Sequence, residues 1–371
     1  MHIEVVDCLD DYDRLRDAWT EVYAADRAAN TFVSWLWLRS WLEVTPYKWF
    51  VLAARPEPSS PYVAFLPLAA NNERRHGIEL VRELHLASKP LADYTGLVCH
   101  PANEAQTLPA FARYIREELT WDRFFVTDAI DPRLESLLQQ VCGSRDVVHE
   151  REPLACPWIP LSKSWERHLS ESMSAKSRYD VRRAFRNVEQ SGTCRVTEPT
   201  AQDLDFHLDT LINLWKTRWG ERRVADVYRH VFRRAFENGT LWLRILWDGD
   251  QPMAAVSAFT DPIRKTIYQH IMAFDRRFAK RSPGRALTGY SIRDAIDRNF
   301  DCYDFLLGAE DYKYSFGARQ RVAYRALAAH PSLRCLLGSA LIRSEQALSR
   351  RRRDLRRFAS AVANRLVTRR R

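Results

Sequence analysis

The run from Leu241 to Gly317 constrains the fold most, because its order of strand, loop and helix admits few architectures. Leu241–Trp247 reads as a β-strand and Asp248–Gln251 as a turn. Pro252–Thr260 and Thr266–Phe274 read as two more strands, rich in β-branched and aromatic residues. A loop follows, then a helical run from Leu287 to Arg298, then a buried-strand pattern within Asp301–Gly308. Just ahead of the helix stands Arg281-x-x-Gly284-x-Ala286. A glycine lets backbone approach a ligand closely, and the free amides of a helix start carry partial positive charge that suits a phosphate. The pattern reads as a pyrophosphate cradle. An ordinary Pro-Gly turn looks the same locally, and the strand–loop–helix context favours the cradle.

With its context, this stretch resembles the acyl-CoA-binding half of the GNAT acyltransferase superfamily, whose loop has the form Arg/Gln-x-x-Gly-x-Gly/Ala; Ala286 stands at the second glycine position. Phe274-Asp275, Ser282-Pro283-Gly284, Tyr303-Asp304-Phe305-Leu306 and Tyr312-Lys313 after Gly308 are similar to the CelD-type group of exopolysaccharide and cellulose gene clusters. Gly308-x-x-x-Tyr312-Lys313-x-x-Phe316-Gly317 also resembles the FemABX aminoacyltransferases, which are twin GNAT-like enzymes. The resemblance runs from Asn30 to Gly317 and is strongest after Gly239. It implies an α/β (α+β) fold of two tandem lobes, each a mixed, mostly antiparallel sheet flanked by helices. Acyl-CoA, acetyl-CoA in first place, is the implied cosubstrate, held by Met272, Arg281, Ser282, Pro283, Gly284, Arg285 and Ala286.

The first half repeats the order of the second. Strand-like runs at residues 49–54, 62–70 and 79–86 precede Thr95–Val98, a helix near Ala105–Glu118 and a last strand at Arg123–Thr127. No Arg-x-x-Gly-x-Ala precedes that helix; its counterpart is Lys89–Gly96. Asp93-Tyr94 matches a CelD-type motif expected at the acceptor cleft, so the first lobe is expected to hold substrate. We divide the chain into a degenerate first lobe (1–155), an acyl-CoA-binding lobe (156–330) and an Arg-rich helical tail (331–371). Ahead of the first strands, Leu9–Ala25 and the aromatic run at Trp35, Trp37 and Trp41 read as helices, the latter as core; stacking on a sugar is its functional alternative. Residues 151–160 read as an extended, Pro-rich crossover. Four helical segments follow, the second carrying Arg178, Arg182, Arg183 and Arg186 on one side, either a solvated face or a contact for an anionic ligand.

Composition narrows the classes. The 371 residues suffice for two packed domains. Seven scattered cysteines, with no Cys-x-x-Cys, suggest neither a disulfide framework nor a zinc site, and Cys302 reads as a packed residue. Hydrolase and NTPase signatures are absent. The net charge of +10 resides wholly in residues 331–371, where twelve arginines face two acids. A neutral body argues against a nucleic-acid groove. With no signal-peptide pattern at the start, a cytoplasmic protein is expected.

Acyl transfer needs a proton acceptor, an oxyanion stabiliser and a proton for the leaving group. Alternation along Thr266–Phe274 places Tyr268, His270, Met272 and Phe274 on one face. The GNAT resemblance sets this strand against the acyl donor, which implies Tyr268 beside the substrate and His270 as a candidate base. A structural role for His270 stands beside that one. Asp275 and Glu310, at strand mouths, are alternative bases. Tyr312 is a proton donor, and Lys313 supplies charge to an oxyanion or phosphate, a preference the resemblance supplies. The expected activity is metal-independent acyl transfer from acyl-CoA to an amine or hydroxyl on a sugar or lipid-linked envelope precursor. Two rivals are FemABX-like transfer from aminoacyl-tRNA and a non-catalytic scaffold for polysaccharide assembly. Beyond Pro331, apolar residues at 3–4 spacing with arginines off the stripe read as a basic amphipathic helix. Such a helix suits an anionic inner-membrane face or an acidic partner; packing on the body is the alternative.

Overall fold

The computed structural model describes residues 1–75, 78–143, 146–219 and 225–330. The Arg-rich tail, with the helix expected there, lies outside the described residues. In chain order the first half runs β1 (His2–Val6), α1 (Leu9–Arg14), α2 (Arg16–Ala25), α3 (Trp35–Leu42), β2 (Lys48–Arg55), β3 (Ala64–Arg75), β4 (Ile78–Leu86), β5 (Val98–Cys99), α4 (Glu104–Glu117), β6 (Arg123–Ala129), α5 (Arg133–Val141), β7 (Val147–Glu150) and β8 (Leu154–Pro160). The second half runs α6 (Trp165–Ser172), α7 (Ala175–Glu189), β9 (Cys194–Thr197), α8 (Leu204–Trp219), α9 (Ala225–Glu237), β10 (Leu241–Asp248), β11 (Gln251–Asp261), β12 (Thr266–Phe274), α10 (Pro283–Asp297), β13 (Cys302–Asp304), α11 (Asp311–Tyr314) and β14 (Arg319–Ala329).

Local signals explain three of the helix starts. Ser34, Ser164 and Ser174 cap α3, α6 and α7 by accepting from backbone amides three residues on. The expected helix Leu9–Ala25 is instead two helices, parted at Leu15, whose amide bonds Tyr12 O in a tighter i to i−3 turn. Trp37 and Trp41 are buried and Trp35 stacks on Tyr12, so the aromatic run serves packing.

All strands of the described residues join one mixed sheet in the order β1-β2-β3-β4-β6-β14-β8-β13-β12-β11-β10-β9, with β5 on β3 and β7 on β14. The two halves mirror each other: four antiparallel strands lead to one parallel pair, β4 with β6 and β12 with β13. β14, unassigned from the sequence, joins the halves, pairing β8 through Arg319–Ala323 and β6 through Tyr324–Ala329. The boundary expected at 155/156 falls inside β8. One apolar core runs under both halves, from Trp19, Leu38 and Trp41 to Leu211, Phe232 and Phe259. The opposite face is covered by α4 and α5 over the first half and by α7 and α10 over the second.

Polar clamps cross the seam. Arg264, in the β11–β12 turn, donates to the carbonyl oxygens of Tyr23, Asp26 and Ala29, and Tyr23 OH bonds Asp261. Asp304, fully buried at the end of β13, accepts from Tyr94 OH at 3.0 Å, from the Leu306 amide at 2.8 Å and from Arg321. Burial pushes the Asp304 carboxyl up and Arg321 opposes the shift.

Candidate functional site

β12 and β13 pair only from Thr266 with Cys302 to Tyr268 with Asp304, and then part. Two local irregularities part them. The first is a β-bulge in β12: Ala258 faces Gln269 while Ser257 faces Ile271, so His270 is the extra residue. The second is Leu306, whose φ of 58° lies in the left-handed region that non-glycine residues rarely adopt. The Asp304 carboxylate on the Leu306 amide holds it there, as do bonds from Lys313 Nζ to the carbonyls of Phe305, Leu307 and Gly308.

Between the parted strands lies a cleft of about 200 Å³. Asp93 comes from the first half, Trp215 from α8, Gln269 to Met272 from β12, Phe305 to Leu307 from beyond β13, and Glu310, Tyr312 and Lys313 from the start of α11. A second hollow, of about 180 Å³, lies against Trp35, Trp37 and Phe259; its acid, Asp261, is already bonded to Tyr23. The chemistry belongs to the first.

His270 is packed among Tyr228, Phe232 and Phe259, and its Nε2 lies 3.0 Å from Leu91 O. A carbonyl only accepts, so Nε2 carries the proton and Nδ1 the lone pair. Nδ1 is buried with no hydrogen-bond partner among the described residues. Burial holds the imidazole below its usual range, only partly offset by Asp93, whose Oδ2 is 3.9 Å from Nε2. The result is a neutral histidine with its tautomer set. Asp93 is itself pushed up by burial, against the pull of His270, Lys89 and Lys313.

Tyr312 OH accepts from Gln269 Nε2 at 3.4 Å, and Gln269 Oε1 accepts from Tyr303 OH at 2.8 Å. Gln269 is a site residue that sequence reasoning missed. The signal was there, because adjacent polar residues in an apolar strand interrupt its period of two.

Several expected residues stand elsewhere. The bulge breaks the single face predicted for β12: Tyr268 packs with Ile271 and Ala273 in the shared core, and Met272 and Phe274 join the α10 side. Tyr268 lies against Phe32, away from the cleft, and Tyr94 is fully buried on Asp304. Both lock the two halves together. Asp275 caps the 3₁₀ turn at Arg276–Arg281 and is held below its usual range by Arg277. Lys313, only 4% exposed, spends its ammonium on three carbonyls and Glu310, which stands 51% exposed at the rim. Its charge organises the loop and is spent there. Cys302, pushed up to about 12 by burial, is no thiolate.

The cradle residues divide likewise. Arg281 turns toward α7 and β10, donating to Asn187 O, Val188 O and Asp248, and Arg285 pairs with Asp180. Ser282 adopts a left-handed conformation, Pro283 opens α10, and among the described residues no side chain caps it. The Ala286 amide, expected free, bonds Ser282 O. Gly284 stands beside Met272 and Phe274: a Cβ there would lie 3.4 Å from the Phe274 ring and 3.8 Å from Met272 Sδ. Met272 in turn lines the cleft, so one side chain borders both the cleft and the helix start. These residues fit an extended thioester with a phosphate at its far end.

Residues 175–314 match the family model of the acetyltransferase (GNAT) domain. A crystal structure of FemX aligns with a TM-score of 0.61 at 10% identity, over 88% of this chain and 97% of that one. The fold is GNAT-like. The C-terminal domain of a putative lysylphosphatidylglycerol synthetase from Agrobacterium fabrum aligns at 0.52 and 11% identity, over 89% and 95% of the two chains. A tandem GNAT protein from the clavulanic acid biosynthesis pathway aligns at 0.50 and 13% identity, over 89% and 100%. No curated protein matches in sequence. Among the described residues there is no cluster able to hold a metal ion, and no helix long and apolar enough to cross a membrane.

Proposed function

We propose that the protein is an acyl-CoA-dependent acyltransferase, passing an acyl group, acetyl in first place, to an amine or hydroxyl of a sugar or cell-envelope precursor. The observation that carries this reading is the split between β12 and β13, with neutral His270 inside it and the uncapped start of α10 beyond Met272. Among the described residues the β12 edge from Gln269 to Met272 has no strand partner on the β13 side and lines the cleft, so this edge faces a developing oxyanion in this reading. His270, which lines the cleft, takes the proton of the acceptor in this reading, a role that contributes about 10²–10⁴-fold in typical enzymes. Tyr312, whose oxygen accepts from Gln269, lines the same cleft and is the proton donor to the leaving thiolate in this reading. The GNAT domain match over residues 175–314 supports a thioester donor.

Titration calorimetry with acetyl-CoA, alone and with Gly284→Trp, tests it. Binding by the native chain and loss in the variant are expected. No binding by the native chain overturns the proposal.

A second reading, aminoacyl transfer in the FemABX manner, is favoured by the FemX likeness over 88% of the chain. Turnover stimulated by charged tRNA and indifferent to acetyl-CoA would decide for it.

A further inference from the structure

Both polar groups that approach His270 Nε2, Leu91 O and the Asp93 carboxylate, belong to the first-half segment 88–95. Within that segment Lys89 acts beside three other anchored side chains, Ser88 on Phe32 O, Tyr94 on Asp304 and Thr95 on Thr127 O. Lys89 Nζ donates to Ala92 O at 2.7 Å, to Asp93 O at 3.2 Å and to the carboxylate of Asp128. Asp128 has a side chain only 3% exposed and is paired on its other oxygen with Arg325 Nε at 2.7 Å.

The two halves treat the same place differently. In the second half the parallel pairing ends at Tyr268 with Asp304 and the cleft opens; in the first it ends at His85 with Phe125. Beyond that pair, Lys89 bonds Asp128 and Thr95 bridges to Ala129. The position that parts in one half is spanned by an ion pair in the other.

We infer that Lys89 is a positioning residue for the site in the opposite half, tying segment 88–95 to Asp128 so that Leu91 O and Asp93 meet His270. The inference rests on the proposed role of His270 as proton acceptor. An ammonium has three donors, and here three acceptors take them. Fixing the successive carbonyls of Ala92 and Asp93 leaves the chain between Leu91 and Asp93 little freedom to turn. The charged and titratable groups around His270 are Asp93 and Lys89 on this segment, Tyr228 on α9, and Glu310, Tyr312 and Lys313 across the cleft.

The test is ¹⁵N NMR of the His270 ring in the full chain, with Lys89→Met, Lys89→Arg as rescue, and acetyl-CoA titrated into each. The native ring is expected as the Nε2–H tautomer, Lys89→Met as a mixture of tautomers, and Lys89→Arg as native, with acetyl-CoA affinity within about two-fold throughout, as for a site acting at a distance. A Lys89→Met protein that keeps the native tautomer overturns the inference, whether its His270 pKa rises or only its melting temperature falls. Should Lys89→Met fail to fold, Asp128→Asn weakens the same tie; an unchanged tautomer there overturns it equally. If acetyl-CoA binds neither protein while the tautomer follows Lys89, the proposed function fails and the positioning role stands.

Discussion

The ring of His270 in the second half is held by the backbone carbonyl of Leu91 in the first, 3.0 Å away. The base and the group that fixes its tautomer therefore come from opposite halves of the chain. Since burial lowers the His270 pKa, the acidic limb of the rate profile should fall below about 6.5, the ordinary histidine value. The sign for stability follows. The unfolded chain takes up a proton at His270 as pH drops through that value and the folded chain resists, so this contribution is present above it and lost as pH falls. An acidic limb above about 7 in a pH–rate series would contradict the assignment.

His270→Gln removes the proton acceptor and keeps much of the volume. Turnover should fall by about 10²–10⁴-fold with acetyl-CoA affinity nearly unchanged. Equal loss of donor binding, measured by calorimetry, would show that the ring serves packing.

At Gly284 a carboxylate suits the helix start but repels a phosphate. Gly284→Glu should therefore leave the melting temperature near native and weaken acetyl-CoA binding by about ten-fold or more, the effect of some 1.4 kcal/mol. A side chain at this position would meet the Phe274 ring at 3.4 Å from its Cβ, an ordinary contact, so the backbone tolerates the change. Unaltered affinity would place the phosphate elsewhere.

Arg321→Met strips the counter-charge from fully buried Asp304. Breaking such a pair costs about 3–5 kcal/mol, so denaturant melts should show a large loss at neutral pH. Because burial already raises the Asp304 carboxyl, protonation should return part of that loss at low pH. A loss that stays constant with pH would point to packing alone.

For the tail, we propose contact with an anionic membrane surface, since each arginine near such a leaflet contributes about 1 kcal/mol. Removing residues 350–371 should abolish sedimentation with anionic liposomes at low salt and spare acetyl-CoA binding. Equal sedimentation of both proteins would defeat the proposal.

β1, β7, β9, β14, α5 and α11 were not read from the sequence. Many other strands and helices of both halves were legible in it, because apolar periodicity and serine caps are local properties that neighbouring residues enforce. So was the likeness of the two halves, which rests on the order of those elements. What residues face was legible only while the period of two held: the bulge at His270 moved Tyr268 into the shared core and left Met272 and Phe274 on the opposite side. Partnership was not legible at all. Lys313 and Arg281 read as free charges because sequence carries no record of the carbonyls that would claim them, and Tyr94 read as a cleft residue although Asp304, 210 positions away, buries it. Sequence determined the elements through forces acting over a few residues. Tertiary structure alone decided which charges were spent, because a buried donor takes whatever acceptor the packed chain brings to it.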